Sequence, residues 1–128
     1  MDSKDILVDT SIFIDYYRKS NKDKALLTEL IDNYNLAIST ITVFEIFNGI
    51  KNEQETEFWD TLFNIIKQIP FNSEIAILSA NIYQNLKRAN QIIELNDLFI
   101  ATTAVYSNLP IVTFNKNHFK RISGLQLL

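Results

Sequence analysis

The sequence predicts an α/β fold: a three-layer α/β/α sandwich around a central parallel sheet of four to five short strands. Three observations carry this. Short apolar runs suited to buried strands, at residues 6–9, 36–39, 68–71 and 111–113, alternate with longer stretches of helical periodicity. Only two glycines and two prolines occur in 128 residues, too few for the tight turns of an all-β chain. Strands separated by helices need crossover connections, which are right-handed and cover both faces of a parallel sheet.

Each element follows from its pattern. After the strand at 6–9, residues 11–18 read as a helix, with Ile12, Phe13, Tyr16 and Tyr17 at helical spacing. Residues 22–34 form an amphipathic helix, with Ala25, Leu26, Leu27, Leu30 and Ile31 facing inward. The strand at 36–39 leads to a helix over 42–50 that closes near Gly49. A further helix over 55–66 turns Phe58, Trp59, Leu62, Phe63 and Ile66 inward. This aromatic-rich helix and the Tyr83 region suit either a core or a dimer face. Pro70 interrupts the chain near the strand at 68–71, and helices follow at 74–89 and 96–107. Pro110 precedes the strand at 111–113, and residues 125–128 suit an edge strand.

Length suits a single domain, residues 1–128, with one sizeable core. A net charge of −3 excludes a global basic field but leaves room for a local basic patch. The absence of cysteine excludes disulfides and thiolate metal sites. The polar, acidic N-terminus is not a secretory signal, and the most apolar stretch, 36–50, is interrupted by Glu45 and too short to span a bilayer. A soluble cytoplasmic protein, not a membrane protein, is expected.

Three acids break the apolar landscape. Asp9 ends the first strand, Glu45 sits inside an otherwise apolar helix, and Asp97 opens the helix at 96–107. In an open α/β sheet, ligands bind beyond the carboxyl ends of the strands, where such acids can converge. Converging carboxylates repel unless a cation intervenes, and oxygen ligands suit Mg²⁺ or Mn²⁺. Each acid also has a structural reading. Asp9 or Thr10 caps a helix, Thr42-x-x-Glu45 matches a capping box, and Asp97 complements a helix dipole. Ala101 and Ala104 share the face of Asp97, allowing either close helix–sheet packing or space for a substrate. Asn115 lies just past the last strand and offers an amide oxygen to a metal or its water. Lys116, His118, Lys120 and Arg121 form the densest basic cluster and suit a phosphodiester. His118 suits a proton donor or a phosphate contact. Arg18, Lys19, Lys87 and Arg88 are further candidates for backbone contacts.

These residues resemble the motifs of PIN-domain nucleases. Leu7-Val8-Asp9-Thr10-Ser11 is similar to the opening motif, and Ser39 to Ile46 with Gly49 to the second. Asn96-Asp97-Leu98-Phe99-Ile100-Ala101 with Ala104 resembles the third. Pro110 to Asn115 followed by His118-Phe119 resembles the closing one. The compact length resembles VapC-type toxins of toxin–antitoxin pairs. The resemblance implies a Mg²⁺-dependent (or Mn²⁺-dependent) endoribonuclease in which Asp9, Glu45 and Asp97 hold the metal. Thr10, Ser11 and Thr113 would orient carboxylates or water, and nearby cations would position RNA. It further implies hydrolysis leaving a 5′-phosphate and a 3′-hydroxyl, a homodimer, and a cognate antitoxin whose tail enters the active-site groove. The family often carries a fourth acid where this chain has Asn115, so one tightly held ion is expected. The alternatives are a phosphatase or phosphoacceptor domain built on Asp9, and a catalytically inactive binding module of the same fold. The first wants a Lys at a later strand end, where this chain has Thr113.

Overall fold

A computed structural model describes residues 4–128; the first three residues of the acidic N-terminus lie outside it. Strand β1 (Asp5–Val8) pairs in parallel with β2 (Asn35–Ser39) on one side and β4 (Ile111–Val112) on the other, and β2 pairs in parallel with β3 (Lys67–Ile69). The order is β3-β2-β1-β4. The expected strand at 125–128 reduces to a single parallel bridge between Ile111 and Leu127.

Alternation along the strands sorts the side chains into two cores. Ile6 and Val8 of β1, Ile38 of β2 and Val112 of β4 face one layer. There they meet α1 (Thr10–Arg18), α2 (Leu26–Asn33), α3 (Thr40–Asn48) and α4 (Glu53–Phe63). Leu7, Ala37 and Ile111 face the other layer, built from α5 (Ser73–Arg88), α6 (Leu95–Ser107) and α7 (Lys116–Phe119). The three-layer sandwich expected from the sequence is the architecture observed. Trp59 and Phe63 belong to the first core, while the partly buried Phe58 stacks on Tyr16 and meets Tyr17 edge-on. Ala101 and Ala104 are fully buried, so the small-residue strip serves close helix–sheet packing.

The helix expected over 22–34 is broken. Lys22–Lys24 form one 3₁₀ turn, capped by the Asn21 side chain, and α2 starts only at Leu26. The reason is electrostatic. The Lys22 ammonium donates to the carbonyls of Tyr16, Tyr17 and Lys19 at 2.6, 2.8 and 2.9 Å, where α1 leaves its last acceptors without helical partners. It also lies 5.0 and 5.6 Å from the ring centroids of Tyr16 and Tyr17. Lys22→Ala strands those carbonyls and is expected to cost about 1–2 kcal/mol, read as a lower denaturant midpoint at unchanged slope. A midpoint equal to the parent's would refute this role. Within α2, Ile31 is 45% exposed rather than inward, because the shorter helix turns only Leu27 and Leu30 fully into the core.

Candidate active site

β1 connects onward to β2 on one side, while β4 arrives on the other side after α5 and α6. The sheet's topological switch point therefore lies between β1 and β4, where α/β folds place their ligands. Asp9 follows β1 there and Thr113 follows β4. Asp9 is only 3% exposed. It does cap α1, since its Oδ2 accepts from the Ser11 N–H at 3.4 Å. The same oxygen accepts from the hydroxyls of Ser11 and Thr113, both at 2.8 Å. Each hydroxyl is itself oriented by a backbone donor. Phe114 N–H donates to Ser11 Oγ at 3.2 Å, and Asn115 N–H donates to Thr113 Oγ1 at 2.8 Å. With their lone pairs engaged, both hydroxyl protons turn toward Asp9. Its Oδ1 accepts no hydrogen bond from the described residues.

Glu45 is not the capping-box acid that Thr42-x-x-Glu45 suggests. Helix α3 starts two residues earlier, with Ser39 Oγ accepting from the Ile41 N–H at 3.0 Å. That frees Glu45, one turn further on, to reach across the site. Its Oε1 accepts from the Thr10 hydroxyl at 2.7 Å, and Thr10 Oγ1 lies 3.0 Å from the buried Thr42 hydroxyl. Its Oε2 accepts from Asn96 Nδ2 at 3.3 Å. Thr42 and Asn96 are site residues that pattern reading missed. Thr42 was absorbed by a capping motif, and Asn96, directly before Asp97, carries no signal of its own.

Asp97 stands in the first turn of α6, where it complements the helix dipole. Its Oδ2 accepts from Asn115 Nδ2 at 3.3 Å and from His118 Nδ1 at 3.1 Å. The two nitrogens lie 3.1 Å apart because both donors converge on one oxygen. Asn115 is thus a donor to Asp97, and its amide nitrogen rather than its oxygen faces the acids. Asp97 Oδ1 accepts no hydrogen bond from the described residues.

The acids also act on one another. Burial raises the Glu45 carboxyl above its ordinary value, against the lowering hydrogen bonds from Thr10 and Asn96, and the charges of Asp9 and Asp97 add to the rise. Burial likewise raises Asp97, opposed by its hydrogen bond to His118, with Asp9 adding repulsion. A raised carboxyl binds its proton more tightly in the folded chain than in the unfolded one. The stability penalty is therefore complete above the raised values and relieved as pH falls through them. With divalent metals chelated, the melting temperature is expected to climb as pH falls through the raised values toward the ordinary carboxylate range, and less steeply in Glu45→Gln or Asp97→Asn. A parent protein that melts lower across that descent would contradict the coupling.

The basic candidates do not act as one patch. Lys116 and Lys120 are exposed on α7, His118 turns to Asp97, and Arg121 Nη1 is committed to the Ile92 carbonyl at 3.0 Å. Arg18 and Lys19 line a cavity of about 460 Å³ beside Ser11, although Lys19 also lies 3.5 Å from Asp15. On α5, Lys87 sits over the Tyr83 ring and Arg88 donates to Asn85.

The sheet is ordered 3-2-1-4, with Asp9 just beyond β1, Glu45 on α3 and Asp97 on α6. The family model for the PIN domain matches residues 6–125, and the chain belongs to that family. "Ribonuclease VapC1" of Methanocaldococcus jannaschii is 40% identical over 125 residues, covering 95% of this chain and 84% of the relative. "Ribonuclease VapC" of Rickettsia bellii is 35% identical over 131 residues, covering 96% and 94%. Among solved structures, VapBC2 from Rickettsia felis, bound to a DNA fragment from its promoter, superposes with a TM-score of 0.83. It is 28% identical, and 97% of each chain is covered. VapBC from Salmonella typhimurium, bound to DNA, has a TM-score of 0.84 at 20% identity over 97% and 96%, a likeness of fold. Ribonucleases of this family are metal-dependent. Among the described residues, no helix is long and apolar enough to cross a membrane.

The residues suit a hard cation in donor type, with carboxylate oxygens and no sulfur. Asp9 and Asp97 each leave one oxygen without a hydrogen bond. As placed, no three acidic or imidazole groups among the described residues converge tightly enough to hold an ion. Glu45 accepts from Thr10 and Asn96, and Asp97 from Asn115 and His118.

Proposed function

We propose that this chain is a Mg²⁺-dependent endoribonuclease, with Mn²⁺ as a substitute, and the toxin of a cytoplasmic toxin–antitoxin pair. Residues 1–128 act as one nuclease domain, paired as a homodimer and silenced by a cognate antitoxin. The single observation that carries the reading is Asp9, buried beyond β1 of a PIN-domain sheet and aimed by the Ser11 and Thr113 hydroxyls, with Glu45 and Asp97 each held by side-chain donors of their own. Half-buried acids that raise one another's cost of ionisation are expensive unless a cation is their partner.

Asp9, Glu45 and Asp97 are the residues that would hold the ion, and one ion is expected because Asn115 donates where a fourth acid would ligate. When bound, the cation supplies a water of lowered pKa and positive charge against the scissile phosphate. The protein's own part is positional. Ser11 and Thr113 aim Asp9, Thr10 and Asn96 aim Glu45, and Asn115 with His118 aims Asp97. Lys116 and Lys120 attract the RNA backbone. His118, beside Asp97, would in its imidazolium form donate the Nε2 proton to the departing 3′-oxygen, leaving a 5′-phosphate on the other fragment. Incubating the protein with total RNA tests the reading. Cleavage in Mg²⁺ that stops with chelator supports it, whereas intact RNA in Mg²⁺ or cleavage that persists in chelator overturns it.

A further inference from the structure

We propose that the cavity between α2 and the segment after β4 is a subsite for one unpaired nucleobase of the RNA, with Phe114 as its stacking wall. The inference rests on reading Asp9, Glu45 and Asp97 as the reaction centre. The cavity holds about 290 Å³, close to the lower end of small-molecule sites. Leu26 and Leu30 form an apolar floor, Tyr34 and Phe114 supply aromatic walls, and Glu29 and Lys116 stand at its polar edge. This composition matches a nucleobase bearing a phosphate. Flat apolar faces stack on the rings, a carboxylate accepts from base N–H groups, and an ammonium meets the phosphate.

Continuity with the acids separates this cavity from an ordinary surface dent. Thr113 lines it and donates to Asp9 Oδ2 at 2.8 Å. The next residue, Phe114, is 56% exposed, yet its backbone is pinned by its N–H bond to Ser11 Oγ, the other hydroxyl that holds Asp9. Asn115 then donates to Asp97. One tripeptide therefore aims two acids with its outer residues and presents an aromatic ring with its middle one. A base stacked on that ring belongs to a nucleotide next to the phosphate at the acids. A base within a duplex is already stacked and paired, and its faces are closed to Phe114. The subsite thus selects single-stranded or looped RNA.

The test is a binding titration with single-stranded RNA carrying 2-aminopurine, in chelator so that nothing is cut. The parent is expected to bind and change the probe's fluorescence, since the base leaves its neighbours in the strand for the ring. Phe114→Ala should bind about ten-fold more weakly without that change, and Phe114→Trp should restore the affinity. The same RNA annealed into a duplex should bind the parent no better than it binds Phe114→Ala. Thermal unfolding of the variants confirms a folded chain. Phe114→Ala that matches the parent in affinity and fluorescence change overturns the subsite, as does a loss of affinity that Trp does not rescue or a duplex bound as tightly as the single strand. A protein segment as the true occupant gives the first of these results. Because no metal is present, failure here leaves the cation site standing, and failure of the cation site leaves this outcome readable.

Discussion

Replacing Asp97 with Asn is expected to lower RNA cleavage by at least about a thousand-fold, ~4 kcal/mol at ~1.4 kcal/mol per decade, while leaving the fold intact. The argument is local. Asp97 Oδ2 is held by Asn115 and His118. An Asn there must turn its one oxygen toward those two donors. Its NH₂ group then occupies the position of Oδ1, so a donor replaces the free acceptor that would face the cation. Charge falls by one and the remaining oxygen is already engaged. Stability moves the other way. Burial and the charge of Asp9 disfavour the Asp97 carboxylate, so its removal relieves repulsion and the variant should melt at or above the metal-free parent at neutral pH. Loss of cleavage together with a raised melting temperature is a result that a merely unfolded variant does not produce. Cleavage at the parent's rate by purified Asp97→Asn protein would sink the assignment.

The largest loss of stability is expected at Phe13. Its side chain is fully buried beneath α4, edge-on to Phe63 with centroids 5.4 Å apart and to Trp59 at 6.4 Å. Phe13→Ala removes the ring that joins α1 to α4 and leaves a cavity the surrounding strands and helices can close only in part. The cost is about 3–5 kcal/mol, roughly a fifth or more of the total stability of an ordinary domain of ~5–15 kcal/mol. The effect reaches the site, because α1 carries Thr10 and Ser11 at its start and Phe13 anchors that turn. Thermal or urea unfolding checks it, with a melting temperature lower by about 10 °C or more. A change of under about 1 kcal/mol would show that α1 is held by something other than this cluster.

The strands and the acids were legible in the sequence because each is a local break in a local pattern. An apolar run that ends in Asp9, or an apolar helix interrupted by Glu45, is visible without knowing the fold. Parallel order and convergence at the switch point follow from the alternation of strands and helices. What stayed hidden depends on groups far apart in sequence. The break between Lys22 and Leu26 arises because an ammonium caps the preceding helix, which periodicity does not register. Helix α7, visible in the sequence only as a basic cluster, is a single turn whose buried Phe119 joins the second core. Glu45 fitted a capping box until Ser39 proved to be the cap. Asn96 becomes visible only when α6 is brought against α3. The role of Asn115 changed in kind, from an oxygen offered to a metal to a nitrogen donated to Asp97.

The central claim is that Asp9, Glu45 and Asp97 together hold a divalent cation, and titrating Mn²⁺ into the metal-free protein while following its melting temperature tests it most directly. Binding to the folded state alone adds about 2.7 kcal/mol at a hundred-fold excess over the dissociation constant. A rise of several degrees is expected in the parent, saturating with Mn²⁺ and absent in Asp97→Asn. A parent whose melting temperature ignores Mn²⁺, or an Asp97→Asn protein that responds as strongly as the parent, would contradict it.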